Sequence, residues 1–254
     1  MADLLKDKIV IITGGGSGIG KASSILFAKE GAKVVVANRR VEKGEETVKI
    51  IKENGGDALF IQTDVSKKED IENLINKTVK HYGRLDIAFN CGGIDGAKKP
   101  IIDFEEQEWD EVIDVNLKGT FLLLKYEIKQ MLKQNTEGVI LNMASINGII
   151  GRPNRCAYNS SRSGVIGLTK TASIEYIRKG IRINAIAPAA VKTDLFDKYT
   201  NEDIELQKKY AESHPIGRIC EPEEVAEAAL WLCSDKSSFV VGHILVIDGG
   251  VTIV

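Results

Sequence analysis

No stretch of this sequence is apolar for long enough to cross a bilayer as a helix. Its start, Met-Ala-Asp-Leu-Leu-Lys-Asp-Lys, lacks the basic-then-apolar layout of a secretion signal. Neither sign of charge dominates: 34 Lys and Arg against 36 Asp and Glu leave a net charge of -2. That balance gives no reason to expect nucleic acid or an acidic membrane surface as a partner. Cysteine is scarce. Cys91, Cys156, Cys220 and Cys233 form no C-x-x-C pair and no zinc spacing, so they read as reduced thiols of a cytoplasmic protein. His81, His214 and His243 lie far apart without an H-x-x-x-H pair, and no metal site is expected. No internal repeat, low-complexity tract or break in composition marks a second domain. The 254 residues are read as one domain spanning 1–254, long enough to bury a sizeable core.

What the chain does have is glycine, 24 of them, many at the ends of short apolar runs. Residues 8–13 (KIVIIT) predict a buried strand. The glycine-rich turn 13–20 (TGGGSGIG) follows, then a helix over 21–30 stopped by Gly31, and a second strand over 33–37. A βαβ unit with such a first turn lets backbone approach a pyrophosphate, and the helix N-terminus favours its charge. The spacing Gly14-x-x-x-Gly18-x-Gly20 differs from the commonest dinucleotide fingerprint, and a flexible turn is the plain alternative.

The end of the second strand bears on cofactor choice. A carboxylate there would bond an NAD ribose and repel a 2′-phosphate. This chain has Asn38, Arg39 and Arg40 instead, which favours NADP(H) over NAD(H), with NAD(H) still possible. The alternative is that both arginines are solvated residues opening the next helix. Ser17, where a cation before Gly18 would help, counts against NADP(H).

Further along, the pattern predicts a surface helix over 41–53, a strand over 58–62, and a capping box Ser66-x-x-Glu69 opening a helix to about His81. It then predicts a strand over 84–89, a long helix over 105–134 that Gly119 interrupts or packs tightly, and a strand over 138–143. A helix over 158–179, a strand over 181–187, a weakly helical substrate loop over 189–215, a helix over 221–234 with Pro222 at its first position, and a strand over 242–247 complete the chain. The fold class expected is α/β: a doubly wound Rossmann-like domain with a seven-stranded parallel sheet flanked by helices, its ligand crevice at the strands' carboxyl ends. Asn38, Asp64, Asn90, Ser145 and Pro188 all fall at such ends.

Ser145 to Arg162 is the stretch the rest serves. Tyr158 and Arg162 sit one helical turn apart, and Ser145 at the end of its strand can face them. A hydroxyl, a phenol and a cation so placed polarise a carbonyl, supply a proton and favour the phenolate. Taken alone, the stretch fits a buried Tyr beside a solvated Arg equally well.

Over nearly its full length the chain resembles the short-chain dehydrogenase/reductase family. The resemblance rests on Thr13-Gly14-x-x-x-Gly18-x-Gly20, Asp64-Val65, Asn90 with Gly93, Asn116 in VNLKG, Ser145, Tyr158 and Asp248-Gly249-Gly250. It implies a Rossmann-like domain, usually tetrameric, moving a hydride between NAD(P) and a small or medium carbonyl or secondary alcohol. It implies Tyr158 as general acid/base, Ser145 on the substrate oxygen, and Asn116 at a helix bend in the proton relay. The implied cofactor contacts are Gly14, Ser17, Gly18, Ile19, Gly20, Asn38, Arg39, Arg40, Asp64, Val65, Asn90, Gly92, Tyr158, Arg162, Pro188, Val191 and Thr193.

Three departures stand at the site. The family's Lys is Arg162, its Asn-Asn-Ala-Gly is Asn90-Cys91-Gly92-Gly93, and its Pro-Gly is Pro188-Ala189. Arg keeps the charge but is planar, bulkier and a poor proton donor. Two hypotheses follow: an NADP(H)-preferring oxidoreductase with Arg162 as fourth catalytic residue, or a dinucleotide-binding protein that has lost catalysis. A redox-sensitive Cys91 is a third idea, set against a small buried replacement for a polar residue.

Overall fold

Short apolar runs alternate with amphipathic stretches along the chain, and the computed structural model, which describes residues 3–200 and 202–254, turns each run into a strand. The first half comprises β1 (Ile9–Thr13), α1 (Gly18–Lys29), β2 (Lys33–Asn38), α2 (Val41–Glu53), β3 (Asp57–Gln62), α3 (Lys68–Tyr82) and β4 (Ile87–Asn90). After it come α4 (Glu106–Val112), a π-helical turn (Ile113–Lys118), α5 (Gly119–Gln134) and β5 (Gly138–Met143). The chain closes with α6 (Cys156–Tyr176), β6 (Ile181–Pro188), α7 (Asp194–Thr200), α8 (Ile204–Glu212), α9 (Pro222–Cys233) and β7 (Ile244–Ile247).

All seven strands run parallel in the order β3-β2-β1-β4-β5-β6-β7. Parallel strands are covered on both faces, which is why these runs are continuously apolar. Successive side chains alternate between the faces. Val10 and Ile12 enter one core with Phe27 of α1 and Leu230 of α9; Ile11 enters the other with Leu74 of α3 and Leu124 of α5. Each fully buried side chain of this kind contributes about 1.5–3 kcal/mol. The order reverses between β1 and β4, and the crevice above their carboxyl ends is the natural ligand site of such a sheet.

The differences from the sequence pattern have local causes. The expected capping box at Ser66 does not form. α3 begins at Lys68, and Ser66 instead donates its hydroxyl and backbone N–H to Asp64 Oδ1 at 2.7 and 3.0 Å. A carboxylate two residues away is the stronger acceptor. The expected helix over 105–134 is broken by the π turn, not by Gly119, which packs tightly: a Cβ there would lie 2.9 Å from the Val65 carbonyl. Residues 84–86 stay outside β4 because Asp86 is engaged by Arg84 and by the Ile9 N–H. The 189–215 stretch is more ordered than expected and carries α7 and α8. Pro222 does open α9, and Glu224 accepts the Glu221 N–H at 2.9 Å. Among the described residues no helix is long and apolar enough to cross a membrane.

Candidate active site

A cavity of about 500 Å³ runs along the carboxyl ends of the strands, from the β2–α2 turn past β1 and β5 to the segment carrying α7 and α8. At its head, Gly14 takes a left-handed φ of 68° and approaches the loop after β4 so closely that a Cβ would lie 2.9 Å from Gly92 Cα. A Cβ on Gly20 would collide with the Gly14 carbonyl. The glycines therefore fold the turn flat against the sheet. Helix α1 starts directly behind it. Its N-cap Ser17 makes no side-chain capping bond and no acid occupies the first turn. The first N–H groups of α1 are thus left without a capping partner, as an anion-binding helix end requires.

At the β2–α2 end, Arg40 Nη2 donates to Ser17 Oγ at 3.1 Å, and Asn38 donates to the Arg40 carbonyl at 2.8 Å. The position before Gly18 lacks a cation in sequence, and Arg40 supplies one through space. Arg39 lies near Asp64. Burial raises the Asp64 carboxyl, but bonds from Ser66 and the charge of Arg39 outweigh it and hold Asp64 below the ordinary carboxylate range.

At the other end, Ser145, just after β5, and Tyr158 and Arg162 of α6 line the same cavity. Ser145 Oγ accepts the Asn147 N–H at 3.2 Å, which leaves its own hydrogen without an acceptor among the described residues. The Arg162 guanidinium stacks on Tyr158, its Cζ 5.0 Å from the ring centroid, as the one-turn spacing implies. Arg162 is 4% exposed. Its Nη1 donates to the Met143 carbonyl at 2.7 Å, and its Nε has no partner among the described residues. A Cβ on Gly93 would collide with Arg162 Nη2, so the glycine in the departing Asn90-Cys91-Gly92-Gly93 segment makes room for the larger cation. Arg155 lies on the same phenol ring at 5.3 Å and clamps Asp95 with bonds of 2.7 and 3.2 Å.

Gly14, Ser17, Gly18, Ile19, Gly20, Asn38, Arg39, Arg40, Asp64, Val65, Gly92, Ser145, Tyr158, Arg162, Pro188, Val191 and Thr193 all line this cavity. Asn90 and Asn116 do not. Asn90 faces the buried interior, where it donates to Glu127 of α5 and to Asn142 of β5, each at 3.0 Å. Asn142 in turn donates to Thr169. Register explains this: Asn90 and Asn142 are direct partners across β4 and β5. Asn116 lies behind the site in the π turn. It exchanges bonds with both the N–H and the carbonyl of Ile94 and donates to Ser161 Oγ, which donates to the Tyr158 carbonyl. It ties the loop after β4 to the first turn of α6.

Sequence reasoning did not single out Arg152, Arg155, Tyr210 or His214, which also line the cavity, although the segments carrying them were expected near the substrate. Burial pushes the Cys91 thiol up to about 12, although Arg162 pulls the other way, which counts against a reactive thiolate there.

The comparisons fit this geometry. A family model described as enoyl-(acyl carrier protein) reductase matches residues 14–252. The 2,5-dichloro-2,5-cyclohexadiene-1,4-diol dehydrogenase of Sphingobium indicum is 40% identical over 252 residues, 99% of either chain. The chain belongs to the short-chain dehydrogenase/reductase family. As a member it is an oxidoreductase that moves a hydride between a nicotinamide dinucleotide and a carbonyl or secondary alcohol; the alternative of a non-catalytic binding protein is not favoured. Among solved structures, levodione reductase superposes with a TM-score of 0.94 at 36% identity, covering 97% of this chain and 98% of that one. A 3-ketoacyl-(acyl-carrier-protein) reductase from Brucella melitensis, solved with NADH, gives 0.91 at 34% identity over 98% and 99%. For this dehydrogenase/reductase a nicotinamide dinucleotide therefore fits the flat glycine turn, the uncapped helix end and the partnerless Arg162 Nε.

Proposed function

We propose that the protein is an NADP(H)-preferring reductase or dehydrogenase of a small or medium carbonyl or alcohol, with Ser145, Tyr158 and Arg162 as its catalytic groups. The observation that carries this reading is that those three side chains line the same cavity as the glycine turn, with Arg162 stacked on Tyr158. The cofactor, when bound, supplies or accepts the hydride. The Ser145 hydroxyl donates to the substrate oxygen. Tyr158 gives its proton to the developing alkoxide in reduction and takes it back in oxidation. Arg162 lays its guanidinium on the Tyr158 ring and passes no proton of its own. Asn116 acts through the α6 turn it holds and is a positioning residue. Gly14, Gly18, Ile19 and Gly20 cradle the pyrophosphate; Asp64, Val65 and Gly92 hold the adenosine half; Pro188, Val191 and Thr193 meet the carboxamide.

Arg40, braced on Ser17, supports the 2′-phosphate reading, with Arg39 beside it. A charge-assisted bond of this kind is worth about 1.5–3 kcal/mol, so Arg40→Ala is expected to raise the Kd of NADPH by ~10–100-fold and that of NADH by little. Fluorescence titration of both cofactors measures it; equal losses would remove the argument. NAD(H) remains the second reading, because the Brucella relative was solved with NADH.

The unpaired cysteines suit the cytoplasm. An apolar groove on α5 and α6, with Phe121 and Gly164 in its walls, suits the homotetramer that the family resemblance implies.

The test of function is oxidation of NADPH and NADH across a panel of ketones and diketones, by the natural chain and by Arg162→Lys. Activity in the natural chain, with the variant within about tenfold of it, is expected because the charge is retained. A silent natural chain revived by Lys would overturn the catalytic role given to Arg162.

A further inference from the structure

The substrate end of the cavity carries more cation than its own acids neutralise. Asp95 is committed to Arg155 at 2.7 Å and to Lys98 at 3.3 Å. Asp194, at the head of α7, and Lys198 also line the cavity and carry opposite charges. Arg152 is left. It lies in the loop between Ser145 and Tyr158, is half-buried in the cavity wall, and has no ion-pair partner among the described residues. Its charge reaches His214, which lines the same cavity. Burial first, then Arg152, holds His214 below the ordinary imidazole range, although Asp248 pulls the other way. His214 is itself 5% exposed, and its Nδ1–H donates to the Tyr210 carbonyl at 2.6 Å. A half-buried guanidinium without a partner is costly unless a ligand supplies the anion.

We infer that the substrate is a carbonyl compound or alcohol bearing a carboxylate, an oxo acid or hydroxy acid whose carboxylate pairs with Arg152 while its reacting oxygen meets Ser145 and Tyr158. The inference rests on the reading of this cavity as the substrate site, and it goes beyond that reading in naming the chemical class. The planar fork of Arg152 binds the two carboxylate oxygens together.

The experiment uses the NADPH-loaded protein and two oxo acids, 4-oxopentanoate and 5-oxohexanoate, each against its own methyl ester. Binding is read by calorimetry and turnover by loss of NADPH absorbance. At least one acid is expected to bind about tenfold or more tightly than its ester, as a charge-assisted bidentate pair provides. Arg152→Gln is expected to erase that difference and Arg152→Lys to keep part of it. Acid and ester binding alike in the natural chain, or falling alike in Arg152→Gln, would overturn the inference. The two readings fail separately. Turnover of a neutral diketone without any preference for acids would sink the carboxylate site and leave the oxidoreductase reading standing. An acid preference in binding, with no turnover of any carbonyl, would uphold the site and sink the catalytic assignment.

Discussion

Tyr158→Phe is expected to lower kcat by roughly 10²–10⁴-fold, the range that a positioned proton donor supplies. The affinity for NADPH should change little. The substitution removes one oxygen and keeps the ring on which Arg162 and Arg155 stack at 5.0 and 5.3 Å. It also keeps the Tyr158 carbonyl that accepts from Ser161. The α6 turn and the loop bound to it by Asn116 should stay in place, so a loss of rate reports on the phenol alone. Steady-state kinetics on whichever ketone the natural chain reduces, beside a cofactor titration, measures both quantities. A variant that kept most of its rate would move the proton transfer to another group.

Glu127→Gln is expected to flatten the dependence of stability on pH between about 4.5 and 8. Glu127 is fully buried on α5 among acceptors: its own Oε1 and Asn90 Oδ1 have no partner among the described residues. A carboxylic acid proton is the donor that this place lacks. Burial pushes the carboxyl up to about 8 from 4.5, although the Asn90 bond opposes it. The sign follows. Between 4.5 and about 8 the folded protein holds a proton that the unfolded chain has lost, so raising the pH favours unfolding. The contribution is fully present below the lower value and is lost as pH rises through the upper one, at up to ~1.4 kcal/mol per pH unit. The Gln variant has no such proton to lose. Urea unfolding of both proteins at intervals from pH 5 to 9 should show the variant gaining on the natural chain as pH rises. Parallel curves would mean that the ladder from Glu127 through Asn90 and Asn142 to Thr169 tolerates a carboxylate.

The cofactor end was largely legible in the chain because its determinants are local. Strand, glycine turn, helix and strand follow one another within residues 9–38, and the only residue types that fit the close approaches at Gly14 and Gly20 are glycines. The same holds for Tyr158 and Arg162, one turn apart on α6. Asn90 was legible as the end of a strand but not as a member of a buried ladder, since its partners lie 37 and 52 residues away. The π turn around Asn116 was likewise hidden. The bonds joining it to Ile94 and Ser161 span 22 and 45 residues and leave no mark on hydrophobic periodicity.

Sequence alone determined the doubly wound sheet, its strand count and the end of the sheet at which the candidate site lies. Those follow from short-range periodicity and from glycines whose backbone no other residue could share. The tertiary structure alone decided which charges remain uncompensated. It put Arg40 on Ser17 and so filled the gap before Gly18. It spent Asp95 on Arg155 and Lys98 and left Arg152 without an ion-pair partner among the described residues. It buried Glu127 where a proton is the missing donor. Each is a matter of distance between residues remote in the chain, and electrostatic pairing is fixed by that distance and by burial, which composition does not encode.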